Sequence, residues 1–211
     1  MNDPTYYCDY DHPDIQKIAA ILRSEGDDQV SITMQTFKYV RDKIAFGFDL
    51  FRTKASDTLK CKYGACWNKS LLLTALLRCN QIEAHFGSIP LKRTFIRPAI
   101  GSWHWLANSP YNHCVVHATI NSRRIILDAV LDKQTYEAFY APLNVEWGID
   151  WNGEEDVRLY TESVLGPPVM YQDIDKILDK KVGNIELPEP LAKIGNNIVN
   201  RRMWKITGFK A

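Results

Sequence analysis

The sequence carries no excess of charge of either sign: 26 Lys and Arg stand against 25 Asp and Glu, a formal net charge of +1. That removes the basic face a nucleic-acid binder needs. Apolar runs extend only a few residues, far short of the ~20 that span a bilayer, so no membrane partner is expected. The first residues, Met1-Asn2-Asp3-Pro4-Thr5-Tyr6-Tyr7, have neither a basic nor an apolar signal region, and a cytoplasmic location is the expectation. Glycine and proline are sparse, 11 and 10 in 211 residues, which excludes fibrous and low-complexity chains. Cysteines number 5 (Cys8, Cys61, Cys66, Cys79, Cys114), an odd set without regular spacing. The chain is too large to need disulfide staples, so reduced thiols are expected, one of them reactive.

What is present is an ordinary globular composition: 45% hydrophobic and 24% charged, with 6 Trp, 10 Tyr and 8 Phe for a core and pocket walls. No repeat or Gly/Ser linker divides the chain, so one domain over residues 1–211 is expected. Residues 13–24 predict a helix, with Pro13 in the first turn, Asp14 at the positive end and Ile15, Ile18, Ala19 and Leu22 on one stripe. Residues 29–44 predict a second, capped by Asp27 or Asp28. The third, Trp67 to Cys79, is apolar nearly all round through Leu71–Leu77 and should be buried on most faces. A strand over 84–89 follows, then a stretch over 90–112 punctuated by Pro, Gly and Trp. Next come two strands, 114–120 and 123–127, joined by an Asn121-Ser122 turn. Residues 172–180 and 188–205 look helical, while 130–170 give no clear pattern. Helices first, then a buried central helix, then an antiparallel sheet: the fold class is α+β.

Chemistry concentrates in Tyr63-Gly64-Ala65-Cys66-Trp67-Asn68-Lys69-Ser70. Gly64 permits a sharp turn that places Cys66 in the first turn of the buried helix. Unpaired N–H groups and the helix dipole favour a thiolate there. The same N–H groups, that of Cys66 included, can hold an oxyanion. A cysteine nucleophile needs a base, and the base an orienting acceptor. His113 opens the first hairpin strand, 47 residues after Cys66, and Asp128 ends the second, 15 residues further on. A turn at 121–122 pairs 120 with 123 and carries 115 opposite 128, bringing Asp128 near His113. His117 and His104 are rival bases, Asp132 a rival acceptor, and Cys114 alternates away from His113 toward the core. Among the aromatics in loop-rich settings, Trp103, Trp105, Tyr111, Trp147 and Trp151 are core residues or pocket walls. Trp67, Trp103, Trp105 and Tyr111 are the wall candidates.

The stretch Ala55-Ser56-Asp57-Thr58-Leu59, then Tyr63-Gly64-Ala65-Cys66-Trp67-Asn68-Lys69-Ser70, then Ala75-Leu76-Leu77-Arg78 resembles the cysteine motif of transglutaminase-like proteins. His113 and Ile125-Ile126-Leu127-Asp128 are similar to that superfamily's histidine and aspartate strands, in the same order. The N-terminal helices and Phe46-Gly47-Phe48-Asp49 suit its short single-domain members. The resemblance covers roughly 12–132 and leaves 133–211 as a C-terminal extension. It implies a papain-like core with Cys66 as nucleophile, His113 as general base and acid, and Asp128 as orienting acceptor. It also implies acyl transfer through a thioester, cleaving or forming an amide bond without a cofactor. The substrate is then a small-molecule, peptide or carrier-bound acyl compound, and a cysteine peptidase of the same fold is the alternative. Two departures stand out. Asn80-Gln81-Ile82-Glu83-Ala84 lacks the family's Gly and Pro. Residues 46–57 offer Phe46, Phe48 and Phe51 but no Trp or Tyr, so the second oxyanion donor stays unassigned.

Other readings are weaker. Cys66-Trp67 echoes the papain signature, but papain's histidine lies ~130–150 residues downstream. Cys61, Cys66, His113 and His117 are zinc-ligand types, yet a long buried helix separates the pairs, and no metal is expected. Asp150, Asn152 and Glu154 begin like a calcium loop, but Gly153 falls at its fourth position and Thr161 at its twelfth. A binding module on a retired enzyme fold would show a broken set of site residues.

Overall fold

The apolar run of the third predicted helix decides the architecture. In the computed structural model, which describes residues 3–51, 53–145, 151–157, 161–179, 185 and 187–209, Cys66–Cys79 forms helix α4, with every residue from Asn68 to Arg78 buried. A helix apolar on all sides must be covered on all sides. Helices α1 (Pro13–Ser24), α2 (Gln29–Lys43) and α3 (Ala55–Cys61) pack on it from one side, strands β3 (Glu83–Leu91) and β4 (Tyr111–Ile120) from the other. Asp28 caps α2, accepting from the Ser31 backbone N–H at 2.7 Å, while the imidazole of His12 caps α1. Helix α3 lies where no helix was anticipated; seven residues are too few to show a periodic stripe.

The main sheet is antiparallel in the order β5-β4-β3-β6, with β5 at Arg123–Leu127 and β6 at Val169–Met170. A two-stranded parallel ribbon of β1 (Ala45–Phe46) and β2 (Tyr63–Gly64) leads into α4. The β4–β5 register is the expected one, Ile120 opposite Arg123 and Val116 opposite Leu127. Asn121 and Ser122 both have left-handed backbone, φ 48° and 66°, the primed turn that matches strand twist. β4 starts at Tyr111, so His113 stands inside the strand instead of opening it. The 90–112 stretch contains two 3-10 turns around the short helix α5 (Arg97–Ile100). Beyond the hairpin come α6 (Lys133–Phe139), capped by Asp132, then α7 (Ile174–Asp179) and α8 (Glu189–Thr207). Among the described residues no helix is long and apolar enough to cross a membrane.

The missing glycine after α4 has a local consequence. The Ile82 N–H donates to the Leu77 carbonyl and the Gln81 N–H to that of Arg78, closing the helix in a Schellman motif. Gln81 holds the left-handed position at φ 60°, which costs an L-residue about 1 kcal/mol relative to glycine. Gln81→Gly is therefore expected to stabilise the protein by about 0.5–1 kcal/mol, less the extra entropy glycine gives the unfolded chain. Urea unfolding at unchanged m-value checks it.

Candidate active site

Cys66 occupies the first position of α4 and is 3% exposed. The turn before it needs Gly64 for closeness, not for unusual dihedrals: a Cβ there would lie 2.6 Å from the Cβ of Asn68. Asn68 explains the close approach. Its Oδ1 accepts from the Ala65 N–H at 2.9 Å, and its Nδ2 donates to Thr53 Oγ1 and Asp49 Oδ2. That lashes the helix start to the 49–53 segment, and the Trp67 indole adds a bond to the Asp49 carbonyl.

The structure brings Cys66, His113 and Asp128 together. Nε2–H of His113 donates to Asp128 Oδ2 at 2.5 Å, while Oδ1 of the same carboxylate accepts from the Val130 N–H at 3.0 Å. Nδ1 is thereby left to serve the Cys66 sulfur, with which the imidazole is hydrogen-bonded. Phe95 sets its ring edge-on to His113 at 5.8 Å. The Tyr111 hydroxyl lies 3.5 Å from Cys66 Sγ, and the Cys114 thiol also bonds that sulfur. Ser70 Oγ donates to the Cys114 carbonyl, so α4 and β4 are tied beside the site.

Electrostatics follow from these contacts. The Cys66 thiol is held well below its usual range by the hydrogen bond from Cys114, then by contact and charge from His113 and by Tyr111; burial opposes them. For His113 burial disfavours the cation, but the charge and hydrogen bond of Asp128, with Cys66, raise it to about 10. Tyr111, through burial and the neighbouring sulfur, and Cys114, through its bond to that sulfur, are pushed up and stay protonated donors. A thiolate beside an imidazolium is the state these shifts favour.

Cys114 lies in the buried core, and from there its thiol also meets the Cys66 sulfur. β5 ends opposite Val116, so Tyr111–Val115 have a strand partner only on the β3 side. The rivals lie elsewhere. His117 stacks over Gly87 and opposite His85, and His104 bonds the Gly101 carbonyl. Asp132 caps α6 and accepts from the Phe46 N–H at 2.6 Å, which fixes the segment ahead of Asp49.

A cleft of about 860 Å³ opens at Cys66. Trp67 and Tyr111 line it. Trp103 and Trp105 do not: Trp103 borders a separate small pocket, and Trp105, 65% exposed, stacks against Arg93. Loop aromatics of this kind carry no sequence signal for which cavity they face. Trp151 is core, against Phe37. Asn152 accepts from Glu154 and Glu155 N–H in an Asx turn. Trp147 and Asp150 lie outside the described residues. Among the described residues no cluster of three or more His, Cys, Asp or Glu could hold a metal. Asp49, Asn68 and Phe95 are site neighbours to which the sequence assigns no role. Only Asn68 had a signal, as the third helical position after a residue without a capping side chain.

A buried, acidified thiol on a helix start, against a sheet carrying imidazole and carboxylate, defines a cysteine enzyme on a papain-like α+β core. A family model described as the transglutaminase-like superfamily matches residues 16–129, more than half of the chain and a span containing Cys66, His113 and Asp128. The chain belongs to that superfamily. Solved structures with a similar fold include a candidate cysteine protease from Cytophaga hutchinsonii, at 20% identity and TM-score 0.49, covering 80% of this chain and 51% of that one. A candidate protease from Parabacteroides distasonis (13%, TM-score 0.42) covers 55% and 23%, and red sea bream transglutaminase (15%, TM-score 0.44) covers 94% and 41%. The chain thus spans about half or less of these structures' own lengths. No curated protein matches it.

Proposed function

We propose that the protein transfers acyl groups through a thioester on Cys66, with His113 moving the proton and Asp128 orienting His113. The observation that carries the reading is the Cys66 sulfur itself, bonded to His113, Tyr111 and Cys114 at the floor of the cleft. The thiolate attacks an amide, ester or thioester carbonyl, forming a C–S bond. The tetrahedral oxyanion is held by the Cys66 N–H at the positive end of α4. His113 gives its proton to the leaving group, then accepts one from the incoming amine or water as the C–S bond breaks. Hydrolysis and amide formation share the first half, and the second nucleophile decides between them. The partner is a small-molecule, peptide or carrier-bound acyl donor. The described cysteines are all unpaired, which supports a reducing, cytoplasmic setting.

The test is intact-mass detection of an acyl adduct after mixing with an activated ester, in wild type and Cys66→Ala. A single adduct lost in Cys66→Ala, and chased by water or added amine, supports the reading. An equal adduct in both proteins overturns it.

Tyr111 fills the place left open for a second donor at the oxyanion, alongside its bond to the thiolate. A hydrogen bond to a charged acceptor is worth about 1.5–3 kcal/mol. Tyr111→Phe should therefore lower kcat/KM about tenfold to a hundredfold, with kcat falling more than KM rises. Steady-state kinetics with one ester separates the two constants.

A further inference from the structure

The far wall of the cleft comes from outside the family-matched 16–129 span. α7 supplies Leu178, and α8 with its approach supplies Leu187, Glu189 and Ala192. This wall is anchored. Asp175 of α7 accepts from Thr5 Oγ1 at 2.7 Å and from the Tyr6 N–H at 2.8 Å. Asn200 of α8 accepts from the Phe48 N–H at 2.5 Å and donates to the Phe48 carbonyl at 2.8 Å, while the Trp204 indole donates to the Phe46 carbonyl. The C-terminal extension is thus clamped onto the segment forming the opposite wall, Phe48 and Leu50. Among the described lining residues the charged side chains are Asp49 and Glu189, both acidic; Glu189 is paired with Lys193 one turn along α8 at 2.8 Å, which leaves Asp49 as the uncompensated charge.

From this lining we infer that the cleft binds an apolar acyl chain free of negative charge, delivered with its carbonyl at Cys66; the inference rests on the acyl-transfer reading. Apolar walls reward each methylene covered, whereas the carboxylate of Asp49, with no cation among the described lining residues, repels an anionic donor. Ala192 lines the same cleft, so a larger side chain there would intrude on a bound chain.

The probes are three p-nitrophenyl esters: acetate, octanoate, and the octanedioic acid mono-ester, which ends in a free carboxylate. In each the Cys66 thiolate forms the C–S bond, p-nitrophenolate leaves with the C–O electron pair, and water later releases the acid and restores the thiol. Each buried methylene is worth about fourfold in binding, so covering half of the six added to acetate gives about a sixtyfold gain in kcat/KM. The terminal carboxylate should forfeit at least about tenfold of it, and Ala192→Trp should bring octanoate close to acetate. The wild-type chain-length series stands even if that variant does not fold. Equal rates for acetate and octanoate, or faster turnover of the carboxylate-ended ester, overturn the inference while leaving acyl transfer intact. Rates no higher than those of Cys66→Ala overturn both.

Discussion

His113→Ala is expected to slow alkylation of Cys66 by iodoacetamide at pH 6 sharply and to abolish turnover. Cys114, His113 and Tyr111 together draw the wild-type thiol well below its usual range, against the burial that favours the neutral form. Removing the imidazolium deletes contact and charge at once, while burial remains. The thiol then rises toward its ordinary range, and on the acid side the thiolate fraction falls in proportion. The substitution also leaves Asp128, 2% exposed, without its cation, a loss of about 3–5 kcal/mol when one partner of a buried pair is removed. His113→Gln keeps a donor for Asp128 without the charge. It should lose as much reactivity with less loss of stability, which thermal unfolding beside the alkylation rate will show. Undiminished alkylation in both variants would mean that the helix terminus and Cys114 suffice to form the thiolate.

Asp128→Asn should lower kcat by up to about 10⁴-fold with little change of shape. The carboxylate accepts twice, from His113 Nε2–H and from the Val130 N–H. An amide has one oxygen for those two donors. If the oxygen stays with Val130, its NH2 group faces Nε2 and forces the proton onto Nδ1, the nitrogen that must receive the proton from Cys66. The wrong tautomer is costly for that reason, as it is in the serine-protease triad. The pH profile gives a second readout. In wild type, kcat/KM should hold through neutral pH and fall near pH 10 as His113 deprotonates. In Asp128→Asn that limb should move toward 6.5, the ordinary value. Stability follows the same sign. A raised histidine pKa stabilises the fold fully below about 6.5, and the contribution fades as pH rises through about 10. The Tm difference between variant and wild type should therefore be widest at neutral pH or below and narrow above pH 10. An alkaline limb that stays near 10 would remove Asp128 from its orienting role.

Features that depend on neighbours along the chain are legible in the residue order. The periodic stripes of α1 and α2, the all-round apolar run of α4, and Cys66 at a helix start are local, set by side-chain spacing and capping. So is the Asn121-Ser122 turn, whose left-handed residues lock the register that carries Asp128 to His113. The family motifs are legible because they sit on these elements. The tertiary structure alone decided what depends on how elements dock. Cys114 meets Cys66 across the docked helix and sheet, a contact that alternation along one strand cannot reveal. Tyr111 reaches the same sulfur through the placement of α4 on the sheet. Trp103 and Trp105 face away from the cleft, whose far wall comes instead from α7 and α8, more than a hundred residues after Cys66. Side-chain periodicity tells which face of an element is apolar; which surface that face meets is settled by burial across the whole chain.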